Sequence, residues 1–393
     1  MSWTENIFKD KNLEILVIIS ILLGCTYVLI KAIPKIPVLR KLTSVPFLFL
    51  VPMFLSNLSI IPVDYPLFNP LQDFVLYLAI FFMVSNIDIK EIIRSLQPRL
   101  FLLFFLACLG TAFGGMIAYI FFSPIIGAEN SAMVAAATTA IFTGGAMNWV
   151  AVASALQMPG TLSATAFPAT IIIFTIYLTF IVSLKRGKPG EKLSKWLGDK
   201  PATKIINPQL LVNEDRTKGI QFDDFVKGFF YFTVTYVVSI IISKQLASYI
   251  FIPEVLLITT LALVLGHVVK LKYLKGTSAF GEACLYFLLT IIGAQGNIVE
   301  ALSNAPILIL FPGIVLSVHI LVTLFVAKLL KTDLTTTSIT SIAAIGGSAS
   351  APIVAAVYDS KELIPVAIIL GSLGYAVGNY LGIYLGFILL GSS

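Results

Sequence analysis

This 393-residue chain is poor in charge and almost devoid of histidine. Asp, Glu, Lys and Arg make up 12% of it against 58% hydrophobic residues, about half the charged share of an ordinary soluble domain. Of its two histidines and three cysteines, Cys25, Cys108 and Cys284 stand singly within apolar runs. That spacing excludes a Cys/His zinc motif and leaves the cysteines as small core residues. No charged residue falls near the centre of an apolar run; Asp73, Asp88, Glu254 and Glu282 lie toward run ends. An intramembrane aspartyl protease would need two central aspartates, and no Gly-x-Ser-x-Gly motif precedes His319. Catalysis is therefore not expected. The net charge of +6 forms no basic stripe with interleaved aromatics, so nucleic acid is not an expected partner.

What the chain does contain is long apolar runs, and a crossing takes about 20 residues. Spans are expected near 13–31, 44–61, 71–87, 100–122 and 161–184, then near 228–250, 255–271, 278–294, 307–330 and 363–390. The first run ends at Lys31 without a small-residue cleavage pattern and reads as a retained span. Two further apolar segments, 131–158 and 335–358, each carry a Gly-Gly pair: Thr143-Gly144-Gly145-Ala146-Met147-Asn148 and Ile345-Gly346-Gly347-Ser348-Ala349-Ser350. A broken backbone exposes amides and carbonyls that hydrocarbon cannot satisfy, so such breaks persist where they line a cavity. A pair, one per half, points to the binding site of a secondary transporter.

Loop charge orients the segments. With the N-terminus outside, loops 31–43 (Lys31, Lys35, Arg40, Lys41) and 88–99 (Lys90, Arg94, Arg99) fall in the cytoplasm, while 62–70 and 123–130 lack Lys and Arg. The loop 185–227 holds ten Lys and Arg, and a full crossing by 131–158 would place it outside. A re-entrant hairpin keeps it inside, since each arm of about eleven residues rises roughly 16 Å and reaches only the midplane. Lys270, Lys272, Lys275, Lys328 and Lys331 mark inside loops in the second half, so 335–358 enters from the cytoplasm.

The expected fold is all-α and polytopic: an inverted repeat of two halves, each five transmembrane helices plus a Gly-Gly hairpin. The first repeat is 1–184, the cytoplasmic linker 185–227 and the second repeat 228–393. The Gly-Gly pairs stand 202 residues apart, and Val45-Pro46 and Ile252-Pro253 both open a second span. A twelve-crossing, proton-coupled transporter with parallel halves is the alternative. It would put a basic loop outside.

The expected substrate and ion site comprises Thr143, Gly144, Gly145, Ala146 and Asn148 at the first break, and Gly346, Gly347, Ser348 and Ser350 at the second, with Asn379 in the last span. Hydroxyls and freed carbonyls suit a hard cation, so Thr139, Thr143, Ser341 and Ser348 are sodium candidates. Helix N-termini just after the glycines could receive an anionic group. Absent a central carboxylate, sodium is favoured over proton coupling. His319 is either a buried, hydrogen-bonded neutral residue or a proton relay. No cofactor beyond the coupling ion is expected.

The Gly-Gly hairpins preceding the last span of each half resemble those of the glutamate:sodium symporter and related bacterial organic-anion transporters. Within that group the chain resembles the membrane proteins called domain of unknown function 819, through Thr143-Gly144-Gly145-Ala146-Met147-Asn148-Trp149-Val150-Ala151-Val152-Ala153 and Gly346-Gly347-Ser348-Ala349-Ser350-Ala351-Pro352. The resemblance implies a small organic anion or amino acid coupled to sodium in a bacterial cytoplasmic membrane. It also implies a homodimer whose transport domain, hairpins included, moves against a fixed scaffold. Ala146-Met147-Asn148 departs from the further glycine and polar residue of the symporters, so the resemblance does not extend to glutamate itself.

Overall fold

A backbone in hydrocarbon must satisfy its amides and carbonyls internally, and the apolar runs do so as helices. The computed structural model describes residues 11–36, 45–62, 65–87, 98–185, 187–198, 221–246, 252–269, 271, 274, 276–296, 298–360 and 363–391. The first half contains α1 (Lys11–Ala32), α2 (Val45–Asn57), α3 (Phe68–Val84), α4 (Pro98–Ile126), α5 (Ala128–Gly144), α6 (Ala146–Ala155) and α7 (Gly160–Leu184). A short helix, α8 (Lys188–Leu197), follows. The second half contains α9 (Phe222–Leu246), α10 (Glu254–Val268), α11 (Thr277–Ala294), α12 (Ile298–Leu330), α13 (Leu334–Val357) and α14 (Ile364–Gly391). No strand occurs among the described residues.

Among the described residues, six stretches are long and apolar enough to cross a membrane: Leu13–Ala32, Pro98–Ile126, Gly160–Leu184, Phe222–Leu246, Ile307–Leu330 and Val366–Gly391. They belong to the first, fourth and last unbroken helices of each half. The second and third are shorter in both halves, α2, α3, α10 and α11 having 13, 17, 15 and 18 residues. The expected span 44–61 corresponds to α2, whose helix ends at Asn57 before the chain turns at Ser59, φ 61°.

The short helices pack on one another, α11 against α2 and α3, and α10 against α3. Close approach is set by glycine: a Cβ on Gly293 would strike the Phe49 carbonyl, and one on Gly266 the Ser85 carbonyl. The long helices α4 and α12 pair through Gly110 against Val322 and Gly114 against Val315. Such small-residue contacts are the usual basis of helix association in lipid. Cys108 and Cys284 are buried.

The two ends of α7 orient the molecule. Gly160, at its start, faces Gln295 at the end of α11, and Gln295 donates to Gln72 at 3.0 Å. Beyond its other end, Lys185 donates to the Tyr358 carbonyl at 3.0 Å and pairs with Asp359 at 3.3 Å. Its 25 residues separate these groups by about 37 Å. α8 docks at the Lys185 end, where the Lys328 ammonium donates to the Trp196 carbonyl and lies 5.3 Å from the centre of its ring. Arg40, Lys41, Lys90, Arg94, Lys270, Lys272, Lys275 and linker residues 199–220 lie outside the described residues.

Candidate functional site

Both Gly-Gly pairs break their helices. Gly145 separates α5 from α6 at φ 102°, ψ −173°, and Gly347 interrupts α13 at φ 64°, ψ −163°. Only glycine enters that backbone region without substantial strain. At each break the chain turns back. Ala136 and Leu156 both face Gly386, while Ala140 and Val152 both face Gly382, so α5 and α6 run back along the same stretch of α14. In α13, Ser338 donates to the Tyr358 hydroxyl at 3.4 Å, although a continuous helix would set them about 30 Å apart.

The segments also end alike. Gln157 and Asp359, each twelve residues after the broken glycine, adopt φ 54° and φ 56°. Met158 donates to Ala153 at 2.8 Å and Ser360 to Ala355 at 2.9 Å, the same helix-closing bond. The first segment ends beside the start of α7, where Ser154 donates to Asp73 at 2.8 Å. The second ends beside Lys185.

The two tips meet on α14. A Cβ on Gly374 would strike the Thr143 carbonyl, and one on Gly371 the Gly347–Ser348 peptide. Tyr375 abuts Gly145 and Gly347, and its hydroxyl lies 3.0 Å from Ser348 Oγ. Asn148 Nδ2 donates to the Tyr375 carbonyl at 2.6 Å and to Asn379 Oδ1 at 2.7 Å; Asn379 Nδ2 donates to Thr259 Oγ1 at 3.1 Å. This bridge ties α6, α14 and α10 together in the core. Asn148 Oδ1, buried beside Gly144, has no hydrogen-bond partner among the described residues. It is an acceptor available to a cation or a donor.

Between the tips and the ends of α3 and α11 lies a cavity of about 390 Å³. Gly145, Ala146, Gly346, Ser348 and Ser350 line it, whereas Thr143, Gly144, Asn148, Gly347 and Asn379 stand behind that wall. The sodium candidates are not all gathered there. Thr143 donates to the Thr139 carbonyl at 2.8 Å, and the Thr139 hydroxyl, buried against Gly115, has no hydrogen-bond partner among the described residues. Ser348 lines the cavity, but Ser341 belongs to a separate cluster around His319.

That cluster is a continuous chain of hydrogen-bonding groups. The Thr111 hydroxyl lies 3.1 Å from the Ala107 carbonyl, 3.4 Å from the Phe142 carbonyl and 2.8 Å from His319 Nδ1. His319 Nε2 lies 2.9 Å from Ser341 Oγ, which lies 2.7 Å from the Tyr177 hydroxyl. Thr111, His319, Ser341 and Tyr177 are all buried. They join α4, α12, α13 and α7, and through Phe142 the turn before the first tip.

Sequence reasoning missed two features. Glu282, placed near the end of a span, lines the cavity with Tyr286, which donates to it at 2.5 Å; their i, i+4 spacing was the available signal. The row Gly374, Gly378, Gly382 and Gly386, also spaced by four, seats both arms of the first segment on α14.

Apolar crossing helices, two glycine-broken segments and a cavity at their junction define a polytopic helical membrane protein. The sequence profile of the family described as "Protein of unknown function (DUF819)" matches residues 18–391. The chain belongs to that family. It is also similar to the "Uncharacterized membrane protein YjcL" of Bacillus subtilis (strain 168), at 23% identity over 348 residues, covering 85% of this chain and 86% of the relative.

Proposed function

We propose that the protein is a sodium-coupled secondary transporter of a small organic anion or amino acid. The observation that carries this reading is the meeting of two glycine breaks on one cavity of about 390 Å³. Freed backbone, the N-terminal turns of α6 and of the second arm of α13, and the hydroxyls of Ser348, Ser350 and Tyr375 converge there. An anionic group suits those turns, whose unpaired amides carry partial positive charge. A sodium ion suits neutral oxygens such as Asn148 Oδ1, Thr139 Oγ1 and the tip carbonyls.

In this reading the halves form an inverted repeat and the broken segments are re-entrant hairpins. The equal order of long, short and broken helices supports it, as do the matching hairpin ends and their position at opposite ends of α7. Lys185, Lys188, Lys192, Lys195 and Lys328 mark the second hairpin's end as cytoplasmic and the first as external, in a bacterial inner membrane. The protein works as a homodimer in which α5, α6, α13 and α14 move together against a scaffold. Proton coupling is the second reading, favoured by Glu282 on the cavity and the His319 chain.

Purified protein in liposomes, supplied with organic anions and amino acids, is expected to accumulate one of them under an inward sodium gradient. Sodium-independent uptake overturns the coupling, and no uptake of any organic solute overturns the transporter reading. For topology, Glu129→Cys and Lys192→Cys, in a background lacking the three native cysteines, should label from opposite sides. Both positions are exposed.

A further inference from the structure

We propose that the cavity selects zwitterionic amino acids with an uncharged, apolar side chain, and that Glu282 receives their ammonium group. The proposal rests on the reading of the cavity as a transport site. Its basis is the charge and polarity of the walls. Among the described lining residues Glu282 alone carries a charge, and none is basic. A dicarboxylate would bring a second negative charge into a space holding a carboxylate and no Lys or Arg to offset it. Glu282 is exposed and accepts a hydrogen bond from Tyr286. A solute seated beside it displaces water from the carboxylate; an ammonium group returns an opposite charge and up to three donors, whereas an uncharged or anionic solute does not.

The remaining geometry places the other end of the substrate. Tyr286 and Tyr375 lie near one another on the wall, and the Tyr375 hydroxyl is 3.0 Å from Ser348 Oγ at the second tip. Ser348 and Glu282 thus line the same cavity, one from the second tip and one from α11. A substrate carboxylate at the tip amides leaves the rest of the molecule, its α-ammonium included, in the cavity that Glu282 lines. Around both lie Ile141, Phe142, Ile171, Phe174, Leu285 and Ile345, an apolar enclosure that receives an aliphatic or aromatic side chain and offers nothing to a charged one.

The test compares leucine, methionine and phenylalanine with their 2-hydroxy and 2-deoxy acid analogues and with succinate and glutamate. Competition for uptake is measured in liposomes, and ligand-induced thermal stabilisation in detergent. At least one of the three amino acids is expected to bind tenfold or more tightly than its hydroxy analogue, with succinate and glutamate weaker still. Glu282→Gln, which keeps shape and removes charge, is expected to lose that tenfold preference while still binding the hydroxy acid. Glu282→Asp should retain part of it, which separates charge loss from misfolding. Tighter binding of succinate or of the hydroxy acids by the unaltered protein overturns the proposal while leaving the transporter reading intact. A Glu282→Gln protein with unchanged amine preference overturns it too. Uptake of no solute at all removes the transporter reading and this inference with it.

Discussion

The two broken segments share a turn geometry but are held in place by different chemistry. The first lies against the glycine row of α14, where Gly378 approaches the Ala140 carbonyl and Asn148, and Gly382 approaches Ala140 and Val152. The second is also seated on α14, where Gly371 approaches the Gly347–Ser348 peptide, and carries in addition a set of hydroxyl contacts: Ser348 to Tyr375, Ser341 to His319 and Tyr177, and Ser338 to Tyr358. Close packing fails when volume is added, whereas a hydroxyl contact fails when one oxygen is removed. In lipid the second loss is the smaller, because an interhelical hydrogen bond averages about 0.6 kcal/mol while overpacking costs about 1–3 kcal/mol. The first segment should therefore be the more sensitive to added volume, and the hydroxyl contacts of the second should yield gradually to loss of polarity.

The largest effect should erase the comparison, because both tips depend on a backbone that only glycine tolerates. Gly145→Val and Gly347→Val each force a β-branched residue into strained conformations at φ 102° and 64°, costing on the order of 1–3 kcal/mol at the tip itself. Each variant should insert into the membrane yet transport nothing in the liposome assay. Normal transport by either would remove that tip from the site.

Next in size is a substitution on the glycine row. Gly382→Leu should destabilise the protein by about 1–3 kcal/mol or more, read as a lower midpoint of thermal unfolding in detergent. Gly24→Leu and Gly313→Leu, where nothing lies within 4 Å of the added Cβ, serve as controls and should leave the midpoint unchanged or slightly raised. An unaffected Gly382→Leu protein would mean that α14 does not seat the first hairpin as closely as described.

Asn148→Ala comes third. It leaves the Tyr375 carbonyl and Asn379 Oδ1 without the amide that donates to both. Unmet acceptors in a dry core cost about 1–3 kcal/mol. Asn148→Ala should therefore unfold earlier than Ser341→Ala, which removes one hydroxyl from the other hairpin's support. The opposite order would mean that the Asn148 amide contributes less than a single hydroxyl contact of the second segment.

The parts of this architecture legible in the sequence are those written locally. Apolar runs located the helices, although α12 begins at Ile298, nine residues before its run, and α9 at Phe222, six before; paired glycines marked both breaks, because backbone distortion must be encoded where it occurs. What could not be read was which distant groups would meet. The contact of Asn148 with Asn379 spans 231 positions, and nothing near either residue specifies the other. The same holds for Glu282, whose distance from the middle of its helix seemed to remove it from the site. The cavity instead extends from the tips toward the end of α3, where Asn86 and Ile87 also line it, and so reaches a residue on the second turn of α11. Nor did the run 363–390 reveal by hydropathy that α14 would seat both broken segments while α7, with no glycine after Gly160, would pack mainly against α12. The four-residue glycine spacing carried that difference.

The smallest expected effect probes the hydroxyl side of the comparison. Tyr177→Phe removes the hydroxyl at one end of the chain that runs through Ser341 to His319, and Ser341→Ala removes the link between them. Neither alters packing volume greatly. If the bond of 2.7 Å between Tyr177 and Ser341 acts as an ordinary membrane hydrogen bond, a double-mutant cycle should return a coupling of about 0.6 kcal/mol and no more than about 1.7. Transport should persist in both variants, since the chain lies behind the cavity wall and not on it. A coupling well above that range would show the bonds to act cooperatively around the buried histidine. Loss of transport with folding intact would instead place the chain in the transport mechanism, and give the proton-coupled reading its first direct support.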